Sequence, residues 1–211
     1  VEQQAEGHWI AHCLSPGTIL SEADAEQLVG RAGLRHIRFD CGSNWVFPEN
    51  GASGWYVLPL DAPLWINDWL KEPVAEIVYR HQANAYGPDY AIVYWPGSSR
   101  GPLFADAVRR YAAADAGPAT LWAFGARGRE WITVWQTGEA TAAPLSIQAH
   151  LISDNEVQVA DGLGFPTDQW LAGDWFVQRH TFATPGHTLE TGLYDYLTLE
   201  SVGPALQLIT P

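Results

Sequence analysis

Trp131-Ile-Thr-Val-Trp-Gln-Thr137 and, beyond a gap holding Gly138 and Pro144, Leu145-Ser-Ile-Gln-Ala-His-Leu-Ile152 decide the fold class of this chain. Both runs are short, carry aromatic or β-branched residues, and are bounded by turn formers, which is the signature of strands. Outward from them the signature recurs at residues 120–125, 156–161, 175–181, 187–194 and 205–209, with Gly, Pro, Asp or Asn between. Seven short strands spaced about 8–12 residues apart predict an antiparallel β-sandwich, immunoglobulin-like or jelly-roll-like, in the C-terminal half.

The first half mixes helix and strand signals. Ser21-Glu-Ala-Asp24 has the form of a capping box, so residues 23–32 read as a helix stopped by Gly33. A strand is expected at residues 34–39. Turns at Asn50-Gly51 and Ser53-Gly54 precede another strand at residues 55–58. Residues 62–71 read as a short helix opening near Pro63, with Trp65 and Trp69 on one face. Strands at residues 74–81 and 90–95 complete an α/β unit, and residues 103–114 read as a further helix. Pro96-Gly-Ser-Ser-Arg-Gly-Pro102 is dense in turn formers, but the preferred junction is Ala116-Gly-Pro118. The fold class expected is therefore α+β: an α/β subdomain over residues 1–116, then the sandwich over residues 117–211.

Bulk properties exclude several function classes. With 47% hydrophobic and 17% charged residues, the 211-residue chain is globular rather than disordered. A globule of this size buries roughly 70% of its unfolded surface, so it needs no metal or disulfide framework to fold. The net charge of −13 repels polyanions, which argues against nucleic acid and against a basic patch on anionic lipid. No apolar run approaches the roughly 18 residues of a membrane span. Residues 1–7 are polar and acidic, unlike a signal peptide, and the chain begins at Val and lacks Met. A piece of a longer polypeptide is the expectation.

Catalytic signatures are missing: no Gly-x-Ser-x-Gly elbow, His-Glu-x-x-His, phosphate loop or dinucleotide fingerprint occurs. No catalytic residue, metal ligand set or cofactor is assigned. His8 and His12, four apart, could present two ligands on a helical turn, but no third ligand can be named. Asp154 and Glu156 could share a side, although a glycosidase pair also needs a cleft and a raised pKa. Cys13 and Cys41 either form one disulfide, worth roughly 3–4 kcal/mol, or are two buried residues that never meet. Tryptophan is the real enrichment, with eleven residues. Trp45, Trp55, Trp65, Trp69, Trp170 and Trp175, together with Tyr194, are the candidates for stacking on sugar rings. The competing reading places the indoles in the core and between the halves.

One pattern is more specific. Phe165-Pro-Thr-Asp-Gln-Trp-Leu-Ala-Gly173-Asp-Trp175, a strand, Thr184-Pro-Gly186, and then Leu189-Glu-Thr-Gly-Leu-Tyr-Asp195 follow one another. This resembles the Pro-Thr-x-x-Trp-x-x-Gly … Gly-Leu-Tyr-Asp pattern of exported C-terminal domains of bacterial polytopic membrane proteins. Those proteins are similar to dolichyl-phosphate-mannose–protein mannosyltransferases (glycosyltransferase family 39). The resemblance spans about two thirds of the chain, including residues 39–64 and 145–161. Residue by residue the pattern reads as scaffold. Thr167 closes a turn, Trp170 plugs the sandwich, Gly173 allows positive φ, and Tyr194 in Gly192-Leu-Tyr-Asp195 ties a corner.

The resemblance implies a non-catalytic accessory domain on the extracytoplasmic face of the cell membrane. Its partner would be the membrane-embedded portion of the same polypeptide, where the chemistry would lie, and it would position or recognise a glycan or protein acceptor, or simply support the membrane part. A free-standing carbohydrate-binding module is the alternative, and a secreted glycoside hydrolase with a carboxylate pair is the third.

Overall fold

The computed structural model describes residues 8–13, 34–48, 51–62, 64–72, 77–82, 89–98, 102–138, 141, 143–153 and 156–210. Among them lie fourteen strands and two short 3₁₀ turns, and no α-helix.

The strands form three sheets. The first has the order β2-β1-β4-β6-β5, built from β1 Trp9–Cys13, β2 Arg35–Phe39, β4 Gly54–Pro59, β5 Ile77–His81 and β6 Tyr90–Trp95. Its β1 runs parallel to both neighbours, while β4, β6 and β5 are antiparallel. The second has the order β3-β12-β9-β8-β7, from β3 Asn44–Phe47, β7 Val108–Asp115, β8 Ala119–Arg127, β9 Glu130–Thr137 and β12 Trp175–Thr181. The third has the order β11-β10-β13-β14, from β10 Leu145–Ile152, β11 Val157–Val159, β13 Thr188–Asp195 and β14 Leu206–Ile209.

The second sheet lies in the middle, and its sequence explains why. Trp131, Ile132, Thr133, Val134 and Trp135 of β9 are all buried, so apolar side chains point out of both faces. Paired positions sort the faces. Val177 sits opposite Trp45, and Phe176 opposite Val46, so Trp45 and Phe176 point to opposite sides. Trp45 meets Tyr56 of the first sheet edge-on at 4.7 Å, and Phe47 meets Trp95 at 5.1 Å. On the other side Phe176 packs on Phe165 and Trp170, at 6.0 and 5.4 Å. One buried apolar cluster joins the inward faces of all three sheets.

All seven strands expected in the C-terminal half are present, but they do not make a sandwich by themselves. Three enter the middle sheet, four form the third, and β3 and β7 from the first half complete the middle sheet. The expected junction at 116/117 falls between β7 and β8, which pair through Asp115 and Thr120.

The α/β subdomain is corrected: the described part of the first half is a mixed β-sheet. Where a helix was expected over residues 103–114, β7 lies at the edge of the middle sheet, and a register shift between Arg110 and Ala114 disturbs its two-residue alternation. Among the described residues of 62–71, the helical structure is the 3₁₀ turn Trp65–Asp68. Its backbone is captured elsewhere: Lys71 N–H donates to Leu103 O at 2.8 Å, Ala105 N–H donates to Trp69 O at 2.8 Å, and Leu70 bridges Phe104. The helix expected over residues 23–32 lies outside the described residues. His8 immediately precedes β1 and His12 lies near its end, so the two are not on a helical turn.

Cys13 and Cys41 are disulfide-bonded, with Cα atoms 5.2 Å apart. The bond ties the end of β1 to the residue pair after β2, and both half-cystines are buried. Trp65 closes over it, donating Nε1–H to Cys41 O at 2.8 Å. Among the described residues no helix is long and apolar enough to cross a membrane.

Candidate functional site

The aromatic candidates are dispersed. Trp45, Trp65, Trp69 and Trp170 are buried, so their ring faces pack on protein and are closed to a sugar ring. Arg127 lies over Trp69 with its guanidinium 4.7 Å from the ring centre, and Arg179 lies over Trp65 at 5.6 Å. Trp55 is half-buried beside Tyr94, 4.7 Å between ring centres. Trp175 is half-buried and tilts against Trp122, at 5.4 Å, and Trp122 is 37% exposed. Tyr194 is half-buried opposite Ser146.

The residues of the Pro-Thr … Gly-Leu-Tyr-Asp pattern are spent on scaffold. Thr167 Oγ1 donates to Ala143 O at 2.8 Å, tying its loop to the one before β10 rather than closing a local turn. Trp170 donates Nε1–H to Phe165 O at 3.1 Å and is buried against Phe176. Gly173 has φ +91°, a left-handed conformation in which Gly is favoured, and its N–H donates to Thr137 O at 2.8 Å. A Cβ on Gly192 would meet Pro204 O at 3.4 Å and Ala205 Cα at 3.5 Å, ordinary contact distances. The corner at the end of β13 is tied by Asp195 rather than by the Tyr194 hydroxyl. Asp195 Oδ1 accepts from Leu197 N–H at 2.8 Å and Thr198 N–H at 3.2 Å.

Sequence reasoning missed the partner of this loop. Arg35 on β2 donates through Nη1 and Nη2 to the two carboxylate oxygens of Asp174, at 2.7 and 2.6 Å. Arg35 Nη2 also donates to Gln169 O at 2.7 Å, and Gln169 Oε1 accepts from Arg38 N–H at 2.7 Å. The loop therefore covers the open edge of β2 and joins the first sheet to the middle one.

Two histidine arrangements were also missed. His12 and His36, on neighbouring strands, are stacked with ring centres 4.6 Å apart and Nδ1 to Nε2 at 2.5 Å. Burial, then the charges of His36 and Arg38, lower the His12 pKa to about 4. His180 is fully enclosed, with Nδ1 at 3.0 Å from Ala160 O and Nε2 at 3.0 Å from Thr133 Oγ1. A carbonyl only accepts, so Nδ1 carries the proton and Nε2 accepts from the Thr133 hydroxyl. Burial lowers the His180 pKa to about 4, against the opposing pull of the Ala160 carbonyl and Asp161. Among the described residues no group of three or more His, Cys, Asp or Glu could hold a metal.

Open space gathers at one edge of the middle sheet. Arg109 pairs across to Phe124 and Arg110 to Ala123, so the two arginines leave β7 on opposite faces. Each lines its own cleft. One, of about 390 Å³, lies against the third sheet and is lined by Arg109, Phe124, Gly125, Gly186, His187 and Thr210, among others. The other, of about 430 Å³, lies towards residues 102–105 and is lined by Lys71, Phe104 and Arg110. Among the described residues, Asp106 is the sole carboxylate lining either cleft, and it is paired with Lys71 at 3.1 Å. Among them, therefore, neither cleft brings together two carboxyls for glycoside hydrolysis. Of the sequence pair, Glu156 is exposed and Asp154 lies outside the described residues.

Compared with known protein families, curated proteins and solved structures, the chain matches none.

Proposed function

We propose that this chain is a non-catalytic extracytoplasmic accessory domain of a membrane-bound glycosyltransferase that uses a lipid-linked sugar, and that it stands beside the membrane-embedded portion of its own polypeptide. The observation that carries the reading is the Thr167–Asp174 loop. Its patterned residues tie the third, middle and first sheets together, which supports reading this part of the pattern as scaffold. The Cys13–Cys41 disulfide agrees with an oxidising compartment. The reading frame around this stretch tests the proposal. Several apolar spans of roughly 18 or more residues in the same frame support it, whereas a signal peptide directly before Val1 contradicts it.

A free-standing carbohydrate-binding module is the second reading, favoured by the surface pair Trp122 and Trp175. Saturable binding of a neutral oligosaccharide that disappears in Trp122→Ala would support it.

A further inference from the structure

We propose that the cleft between β7 and the third sheet binds a carboxylate-bearing sugar, a uronic acid residue of a glycan, with Arg109 as the carboxylate anchor. The inference uses only residues of this chain and holds whether or not a membrane transferase carries the domain.

The chain has 24 acidic and 11 basic residues, so an arginine has many potential partners. Asp174 takes Arg35, Glu130 takes Arg179, and Asp168 stands 3.8 Å from Arg38. The Arg109 side chain has no ion pair or hydrogen bond among the described residues, and it lines a formed cleft. Around it the field is not that of the whole protein. Among the residues lining this cleft the charged side chains are Arg109 and Asp106, and Asp106 is paired with Lys71, so the lining is not negative as the whole molecule is. At physiological salt, screening over about 8 Å leaves a bound anion sensing this neighbourhood more than the distant acids.

The rest of the lining selects the ligand. A guanidinium fork matches a planar carboxylate through two parallel hydrogen bonds. A doubly charged phosphate would suffer more from Asp106 than a singly charged carboxylate would. For sugar hydroxyls, by contrast, Asp106 is an acceptor, and the Thr210 hydroxyl and His187 ring are further partners. Gly128, where a Cβ would meet nothing within 4 Å, leaves the wall open, and the largely buried Phe124 lies beneath it. A Cβ on Gly186 would come within 2.8–3.0 Å of the Leu151 side chain, so this wall is shaped by packing beneath it.

Calorimetric titration of the whole 211-residue chain with trigalacturonate, maltotriose and a hexaglutamate peptide tests the inference. Saturable binding of trigalacturonate alone is expected. Arg109→Ala should weaken it by about tenfold or more, as loss of a charged hydrogen-bonded anchor does. Arg110→Ala, which alters the neighbouring cleft, should change it less than about twofold, within the small effects of uninvolved surface positions. A thermal melt establishes that each variant is folded, and Arg109→Gln replaces the alanine variant if that one is not. Absence of saturable trigalacturonate binding overturns the inference. So does equal binding of maltotriose or hexaglutamate, or undiminished binding by the folded Arg109 variant.

Discussion

Arg35 and Asp174 stand 139 positions apart and are joined by two hydrogen bonds of 2.7 and 2.6 Å, with the Asp174 side chain wholly buried and that of Arg35 21% exposed. The pair links the edge of the first sheet to the entry of β12 in the middle sheet. Leu171 N–H donates to Asp174 Oδ2 as well, at 2.9 Å, so this one carboxylate organises both sides of the junction.

Removing one partner leaves the other charge poorly compensated. Arg35→Ala and Asp174→Ala should each lower stability by about 3 kcal/mol, near the lower end for a broken buried pair because Arg35 retains some solvent. Urea unfolding of both single variants and the double variant measures this. A double variant costing clearly less than the two singles together is expected, and strict additivity would contradict a direct coupling.

The disulfide closes a 28-residue separation. Replacing Cys13 and Cys41 together by Ser should cost about 3–4 kcal/mol in the chain-entropy account. The same loss should follow reduction of the unaltered protein, read as a falling midpoint in urea with added dithiothreitol.

Acid should destabilise the fold through His180. Its folded pKa of about 4 lies below the ordinary value of 6.5, so the unfolded chain takes up the proton first as pH falls. Stability is thus full above pH 6.5 and declines towards pH 4, by about 3 kcal/mol from this residue. His12 shifts in the same direction. Unfolding midpoints at pH 7.5 and 4.5 test the sign, and NMR titration of the ring protons of His180 tests its assignment.

Two backbone sites should respond oppositely. Gly173→Ala places a Cβ at φ +91° and should cost about 1–2 kcal/mol. Leu199 already occupies φ +62° with its side chain 75% exposed. Leu199→Asn should therefore be neutral to stabilising by up to about 1 kcal/mol, since Asn tolerates that region and little burial is lost. Differential scanning calorimetry reads both.

The strands of the second half were legible because each carries its own signal. Leu145–Ile152 and Trp175–Thr181 lie where their residue types and flanking turns put them. Leu206–Ile209 lies within one residue of its expected start. The first half was less legible because its order comes from distant partners. Asn44–Phe47 is four residues long and is completed by β12, far along the chain. Val108–Asp115 is Ala-rich, and its bulge makes its exposure recur every three residues, which imitates a helix. The glycine at 173 was readable from local geometry. Arg35 with Asp174, and Arg109 with His187, were not, because nothing local marks a charge pair or a cleft assembled from separate sheets.

On the proposed reading this domain faces outward beside a membrane portion of its own polypeptide. Fractionation of the native cells, with protease added to intact cells and thiol alkylation before reduction, tests it most directly. The polypeptide carrying this sequence should sediment with membranes, release only with detergent, be cut from outside, and have Cys13 and Cys41 blocked by their bond. Recovery in the detergent-free soluble fraction with both thiols alkylated would contradict it.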